Sequence, residues 1–459
     1  MVRYRFLNGF MMALGDGACI SAGLLVAGAL RVWLFTVPLL PEWGWYLFPL
    51  WWGGATLMRI VPSWGLGPVE ELRRMTILQL FVHTTTAVAL LASSAGGVSL
   101  LTLGIEFIVS SLCIPLTRIR IKRLLITADM WGVPVIVYGT GDTAAQVVRL
   151  LRDERGLGYN PVALVRDDTS PETDGLVEGL RVERDAGIIK SEAPVAIVAM
   201  PGMSRERLVE LLEGTLAGFY RVMVIPELFE VPSLWVKPRD IKGILGLEIT
   251  SNLLSPVARF VKAAMDIVLV LGTAPLWAPL FPVTVILIRI IDGANPFFLQ
   301  ERVGKRGLLF RTWKFRTMVP DAEEVLRRRL AQDGVLREEW ERHYKLKDDP
   351  RVTALGRFLR RLSIDELPQL LNVLRGEMSL VGPRPLPLYH HDRLPARARE
   401  LRERVRPGLT GLWQVSGRSD RMEDMQRMDS YYVRNWSPWL DIVVLVRTVR
   451  AVLKGEGAY

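Results

Sequence analysis

Four apolar stretches, roughly residues 12–37, 43–61, 76–95 and 98–117, crowd the first quarter of the chain. Each approaches the ~20 residues a helix needs to cross hydrocarbon, and four in succession predict a four-helix transmembrane bundle rather than buried core helices. Arg3 and Arg5 precede the first stretch, and Arg59, Arg73 and Arg74 separate the second from the third. Arg118, Arg120, Lys122 and Arg123 follow the fourth, while the other two connections hold no Lys or Arg. Both ends of the bundle are therefore expected on the cytoplasmic face. Asp16 and Arg31, inside the first stretch, would be costly against lipid and are expected to point into the bundle or snorkel. The first stretch is too long, and too closely followed by others, for a cleaved signal peptide.

From about 125 to 250 the pattern changes to short β-rich runs, "VPVIVYG", "PVALVRD", "APVAIVAMP" and "YRVMVIPE", with polar helical segments such as "RERLVELLEGTLAG" between them. This alternation predicts a small parallel α/β sheet of Rossmann-like type. Its first run enters Gly139-Thr-Gly141-Asp-Thr-Ala144, a G-x-G-x-x-A turn opening a helix, and Asp167 and Asp168 close the next run. Only half of a two-lobed nucleotide fold is present, and no Tyr-x-x-x-Lys follows, so NAD(P) use is not expected. A vestigial or regulatory fold is the favoured reading.

A further apolar segment, "RFVKAAMDIVLVLGTAPLWAPLFPVTVILIRII", has no charge between Asp266 and Arg289. Straight, it would span ~33 Å. Pro275, Pro279 and Pro282 interrupt it, and Arg259 and Lys262 before it are matched by Arg289, Arg302, Lys305 and Arg306 after it. Positive charge at both ends predicts a re-entrant helix, about 263–291, that enters one leaflet, bends near Pro279 and returns. A fifth crossing is the competing reading.

Composition agrees with a membrane protein: half of the 459 residues are hydrophobic and the mean hydropathy is +0.22. The net charge of +10 fits anionic lipids, phosphorylated substrates or nucleic acid. Two cysteines, Cys19 and Cys113, sit in apolar stretches, and the four histidines lack metal-ligand spacing, so neither a disulfide nor zinc is expected.

The chemistry concentrates after residue 297. In "FFLQERVGKRGLLFRTWKFRTM" six bases, Arg302, Lys305, Arg306, Arg311, Lys314 and Arg316, accompany one acid, Glu301. This is a membrane-hugging basic strand pair or a phosphate-binding wall. In "RLSIDELPQLLNVLRGEMSLVGPRP" the acids Asp365 and Glu366 precede Pro368. Ser363-Ile-Asp-Glu366 matches a capping box, but a helix starting at Pro368 would leave both carboxylates just outside it, beside an anion-attracting helix end. Arg384 between prolines, and Arg406 and Arg418 in Gly-rich loops, could approach phosphate oxygens closely. Paired acids, arginine loops and a membrane hairpin together suggest phosphoryl transfer to or from a lipid.

"FLQERVGKRGLLFRTWKFRTM", "LRRLSIDELPQLLNVLRGEMSLVGPRPL", "RVRPGLTGLWQVSGR" and "DSYYVRNWS" resemble the successive motifs of the bacterial sugar transferases, the polyprenyl-phosphate hexose-1-phosphate transferases. The resemblance covers about 255–459, and the segments before it look like the long form of that family. It implies a bundle over 1–123, an α/β domain over 124–250 and a monotopic phosphoglycosyl transferase domain over 251–459. It also implies that Asp365 attacks a UDP-hexose, expels UMP and passes the phosphosugar to undecaprenyl phosphate, priming O-antigen, capsule or exopolysaccharide synthesis. By the same likeness Glu366 would hold Mg²⁺, and Lys314, Arg316, Arg384, Arg406 and Arg418 would bind phosphates. Arg302 and Asp429 would support the site.

The partners implied are a UDP-hexose (galactose or glucose), undecaprenyl phosphate, membrane lipid and a second copy in a homodimer, with no nucleic acid. The location implied is the bacterial inner membrane, with the α/β and catalytic domains cytoplasmic. One departure is visible: relatives often carry Ser-Pro at the hairpin bend, and this chain has Ala278-Pro279. The C-terminal "NWSPWLDIVVLVRTVRAVL" is expected to lie at the interface beside the hairpin, with Trp436 and Trp439 as anchors. Two alternatives stay open: a membrane-anchored, cofactor-dependent sugar dehydratase or epimerase, and a noncatalytic assembly scaffold, which leaves 297–430 unexplained.

Overall fold

The structure, a computed structural model, describes residues 2–35, 39–93, 97–166, 176–183, 193–200, 202–225, 236–241, 244–249, 256–293, 295–343, 346, 349–416 and 422–454. It divides into two compact units, Met1–Val231 and Pro232–Tyr459.

The first unit opens with α1 (Val2–Phe35), a 3-10 turn at Glu42–Tyr46, α2 (Leu47–Leu57), α3 (Pro68–Ala92) and α4 (Gly97–Thr127). Within these, Phe6–Leu34, Pro68–Ala92 and Val98–Thr127 are long and apolar enough to cross a membrane. The second apolar stretch gives less helix than its length suggests, eleven α-helical residues after a five-residue 3-10 turn. Arg59 adopts a left-handed φ of 55° and the Ile60 N–H returns to the Ala55 carbonyl at 2.8 Å, a terminating motif that stops α2 early. A core of Ile20, Trp51, Leu78 and Ile114 joins the four helices.

Asp16, Glu71, Arg118 and Lys122 pair with one another inside the bundle, whereas Arg31 on α1 has buried Nε and Nη1 atoms with no hydrogen-bond partner among the described residues. Asp16, fully buried, accepts from Arg118 Nε at 2.8 Å and from Trp51 Nε1 at 2.9 Å. Arg118 also reaches Glu71 at 3.3 Å, and Glu71 accepts from Lys122 at 2.5 Å. The inward direction expected of Asp16 holds. Arg118 and Lys122, read from sequence as charges following the fourth stretch, belong to α4 itself, which continues nearly three turns beyond the apolar run, to Thr127. Their acid partners on α1 and α3 draw them inward.

The α/β part comprises β1 (Val133–Tyr138), α5 (Asp142–Asp153), β2 (Tyr159–Val165), β3 (Leu176–Val177), β4 (Leu180–Glu183), β5 (Val195–Val198), α6 (Arg205–Glu213) and β6 (Arg221–Val224). All four runs read from the sequence are strands. The sheet order is β3-β4-β2-β1-β5-β6, parallel throughout except for the β3/β4 hairpin, which the sequence pattern did not announce. Gly139 ends β1 at φ +119°, where a Cβ would come within 2.9 Å of the Ala199 carbonyl, so the turn needs glycine. Asp167 and Asp168 lie outside the described residues. Asn8 of α1 fastens bundle to sheet: it donates to the Met130 carbonyl at 2.7 Å and accepts from the Gly132 N–H at 2.8 Å.

In the second unit β7 (Val236–Ile241) and β8 (Ile244–Ile249) form an antiparallel hairpin. The apolar segment then folds as α7 (Pro256–Gly272), α8 (Ala274–Trp277) and α9 (Leu280–Asp292), of which Ala274–Ile291 is long and apolar enough to cross a membrane. Its prolines fall at first-turn or cap positions rather than in helix interiors, where the missing N–H costs little. The Thr273 hydroxyl donates to the Leu269 carbonyl at 2.7 Å, and Trp277 Nε1 to the Val270 carbonyl at 3.1 Å. These side chains supply at the bend what the absent serine would have supplied.

The remainder comprises β9 (Phe297–Val303), β10 (Leu309–Phe315), α10 (Ala322–Gln332), α11 (Gly334–His343), α12 (Ala354–Arg361), a 3-10 turn Ile364–Glu366 and α13 (Gln369–Leu374). There follow β11 (Ser379–Val381), α14 (Leu388–His391), α15 (Ala396–Glu403), β12 (Gly408–Thr410), α16 (Leu412–Val415), α17 (Met422–Asn435) and α18 (Pro438–Lys454). Ile288 of α9 packs with Phe315 and Leu359. Asp266 of α7 accepts from the Ser379 hydroxyl at 2.7 Å and the Leu380 N–H at 3.1 Å. Both limbs of the bent segment are thus anchored in one globular core. α18 lies against α7 through Lys262–Asp441 at 2.7 Å. Trp436, expected as an interfacial anchor, is 2% exposed: Asp441 is buried here and needs donors, and the indole N–H supplies one at 3.1 Å.

Candidate active site

Asp365 and Glu366 sit on the 3-10 turn immediately before α13, whose N-cap is Pro368. The carboxylates stand outside the helix, as the proline predicts. No capping box forms, because Ser363 takes a left-handed φ of 55° and its hydroxyl makes no cap hydrogen bond. The turn is held from both sides: Ile364 and Leu367 pack with Phe315 and Leu359, and α13 runs beside the open edge of β10. There Asn372 acts as a latch, accepting from the Trp313 N–H at 3.2 Å and donating to the Arg311 carbonyl at 2.9 Å.

Strand alternation then sorts the basic residues of the β9–β10 hairpin onto two faces, so they do not form a single wall. Register pairs Phe298 with Lys314 and Arg302 with Phe310 on one face. Glu301 pairs with Arg311 and Leu299 with Trp313 on the other. Lys314 donates to Glu366 Oε1 at 2.8 Å, and the Arg384 guanidinium approaches the same oxygen at 3.6 Å. Arg302 donates to the Pro385 carbonyl at 3.3 Å, and burial and the neighbouring Arg384 lower its pKa to about 10. Arg311 pairs with Glu301 at 3.6 Å, both exposed.

Asp365 is half-buried. Burial, then the charge of adjacent Glu366, pushes its carboxyl up to about 6, with Lys314 and Arg360 pulling the other way. Asp429 reaches the site only indirectly: buried on α17, it pairs with Arg402, which also donates to the Arg384 carbonyl. Burial drives Asp429 up to about 6 against the opposing charge of Arg402.

Asp365, Glu366, Lys314, Arg384 and Arg302 are therefore brought together. Arg316 follows β10 directly, half-buried, its backbone N–H donating to the Pro296 carbonyl at 2.8 Å. Arg406 lines a different recess, with Arg259, Lys262 and Lys305, near the far end of α13. Arg418 lies outside the described residues. Sequence reasoning missed Arg360, Arg402 and Asn372. Arg360 stands five positions before Asp365 and was legible only as one of several arginines; the other two act through long-range contacts that no local pattern records.

A half-buried, paired carboxylate with an elevated pKa, facing lysine and arginine in the unit that also carries the apolar segment α7–α9, suits phosphoryl chemistry. Comparison with known proteins decides the family. The model of the bacterial sugar transferase family matches residues 257–455. A UDP-galactose-lipid carrier transferase of Erwinia amylovora is 38% identical, over 77% of this chain and 75% of its own. The chain belongs to the bacterial sugar transferase family. An undecaprenyl-phosphate galactose phosphotransferase of Salmonella typhimurium is 36% identical over 75% of this chain and 73% of its own. A UDP-glucose:undecaprenyl-phosphate glucose-1-phosphate transferase of Escherichia coli is 31% identical over 71% and 69%. This sugar transferase is thus an enzyme of the phosphoglycosyl transferase kind, and its long apolar helices agree with membrane residence.

Proposed function

We propose that this sugar transferase moves hexose-1-phosphate from a UDP-hexose, galactose or glucose, to undecaprenyl phosphate at the cytoplasmic face of the bacterial inner membrane. The product would prime O-antigen, capsule or exopolysaccharide synthesis. The observation that carries this reading is the Asp365 carboxylate, pushed up to about 6 and set beside Glu366, Lys314 and Arg384. In the first step an Asp365 oxygen attacks the sugar-bearing phosphorus. The bond to the UMP oxygen breaks and UMP leaves with the electron pair, giving an aspartyl phosphosugar. In the second, an undecaprenyl phosphate oxygen attacks the same phosphorus, the bond to Asp365 breaks and the carboxylate is restored.

A carboxylate nearing a diphosphate meets like charge, about 4 kcal/mol for one unit pair at ~4 Å and an effective dielectric of ~20. That is about three orders of magnitude in rate, so phosphate charge must be neutralised before attack. Lys314 and Arg384, now paired with Glu366, are the groups we assign to this, with Arg302 keeping the Arg384 loop in place. Mg²⁺ is the cation we assign to Glu366. Mg²⁺ takes one or two carboxylates together with substrate phosphates and water, and Glu366 is such a carboxylate; Lys314, 2.8 Å from it, would have to move to a phosphate oxygen when the cation binds. Bound there, Mg²⁺ would supply further neutralisation of the diphosphate.

We read α7–α9 as the re-entrant hairpin. Support comes from the anchoring of both limbs, Asp266 on β11 and Ile288 beside Phe315, in the same core. The test of the chemistry is UMP release from UDP-hexoses with Mg²⁺ and undecaprenyl phosphate. Asp365→Asn should abolish release and prevent any sugar-phosphate adduct; release at the wild-type rate would eliminate Asp365 as nucleophile.

A further inference from the structure

A cavity of about 570 Å³ lies in the first unit, where the end of α2 and the loop after it meet the sheet. It falls within the size range of small-molecule sites. It is not part of the Asp365 site, and no step above uses it.

Its walls come from two sources. Leu57, Val61 and Pro62 of the bundle give an apolar side, and Leu57, the last residue of α2, is 85% exposed. Arg59 and Arg221 give positive charge, with no acid among the lining residues. Arg221 donates to the Tyr159 hydroxyl at 3.1 Å, which leaves the phenolic proton of this buried tyrosine able to donate onward. Ser63 is fully buried, and its hydroxyl has no hydrogen-bond partner among the described residues. Buried hydroxyls are nearly always satisfied, so an unpartnered one lining a cavity points to a ligand oxygen. Arg59 and Ser63 both hold positive φ, 55° and 56°, a conformation that side chains rarely adopt and that tends to persist where surroundings impose it.

Two guanidinium groups and two hydroxyls, with an apolar flank at the end of a bundle helix, match a phosphate that carries an apolar tail. We propose that this cavity binds the phosphate headgroup of a membrane lipid, Arg59 and Arg221 neutralising it and Ser63 and Tyr159 donating to its oxygens. The site would fasten the end of the bundle and the edge of the sheet to the bilayer surface. It stands independently of the catalytic reading.

Full-length protein in nanodiscs tests this, with native mass spectrometry counting the lipids retained. Three probes are titrated: phosphatidylglycerol against a phosphatidylcholine background, undecaprenyl phosphate, and inorganic phosphate. The wild type should retain phosphatidylglycerol or undecaprenyl phosphate in preference to phosphatidylcholine. The Arg59→Gln/Arg221→Gln pair should weaken that retention on the order of tenfold or more, the usual loss of a charge-assisted contact. UMP release should stay at the wild-type value. Preference for undecaprenyl phosphate identifies the source as a phosphomonoester lipid, and preference for phosphatidylglycerol as bulk phospholipid. Equal retention of phosphatidylcholine, or competition by inorganic phosphate as strong as by either lipid, overturns the proposal. If the double variant does not fold, Arg59→Gln alone, at an exposed position, must still lower retention, and wild-type retention there overturns it as well.

Discussion

Asp365 shows how far one residue's chemistry follows from its surroundings. A surface carboxyl titrates near ~4, and placing it half-buried beside Glu366 pushes it up to about 6. The folded protein therefore binds that proton more tightly than the unfolded chain does, so ionised Asp365 costs stability as pH rises through this range. Asp365→Asn, neutral at every pH, should melt higher than wild type at pH 7.5, and the difference should vanish near pH 4. A lower or equal melting temperature at pH 7.5 would contradict the burial argument. Activity should show the same group with the opposite benefit. With Asp365 as the proposed nucleophile only the ionised carboxylate attacks, so kcat/KM should fall about tenfold per unit below pH 6 and level off above it. A flat profile from pH 7 to pH 5 would mean that Asp365 does not titrate in the free enzyme. The pair Asp365–Glu366 was legible in the sequence through Pro368, but the elevated pKa was not, since it depends first on burial that only the folded chain supplies.

Elements carry the second lesson, because periodicity sets what faces what. The strands β1, β2, β5 and β6 and the helices α1, α3 and α4 follow directly from their apolar runs. The hairpin β9–β10 was legible as a basic strand pair, one of two readings of that stretch. Its alternation, unread in the sequence, divides Arg302 and Lys314 from Arg311. The error over Arg118 has the same origin: an arginine at the end of an apolar run looks like a flanking charge until a partner acid three helices away is known. Asp16 and Glu71 are those acids, and Arg118 is 1% exposed between them. Breaking a buried ion pair by removing one partner typically costs 3–5 kcal/mol, about, because the remaining charge is left uncompensated. Arg118→Met should therefore lower the thermal stability of the bundle sharply, read by melting in detergent. Asp16→Asn combined with Glu71→Gln in the same background should restore part of the loss. If Arg118→Met melts like wild type, the pairing seen in the bundle contributes nothing.

At the scale of the whole molecule, the proposed function raises the question of how an active site built from soluble-style elements meets a lipid substrate. The bent segment answers it if both limbs return to one face. Pro275, Pro279 and Pro282 occupy first-turn and cap positions, so the chain turns there without losing interior helical hydrogen bonds. Thr273 and Trp277 satisfy carbonyls left free at the turn. Outward from it, Val268, Leu276, Val283 and Ile290 are exposed, an apolar surface that water would not leave uncovered. A crossing helix would put Asp266 and Ile288 on opposite sides of the bilayer, yet Ile288 packs with Phe315 beside the turn that carries Asp365 and Asp266 bonds β11 of the same unit. Single cysteines at Arg259 and Asn295, introduced after replacing Cys19 and Cys113, should both react with a membrane-impermeant maleimide in inside-out vesicles. Neither should react in intact spheroplasts. Labelling of either position from the periplasmic side would make the segment a true crossing and would separate Asp365 from any acceptor phosphate entering beside α7.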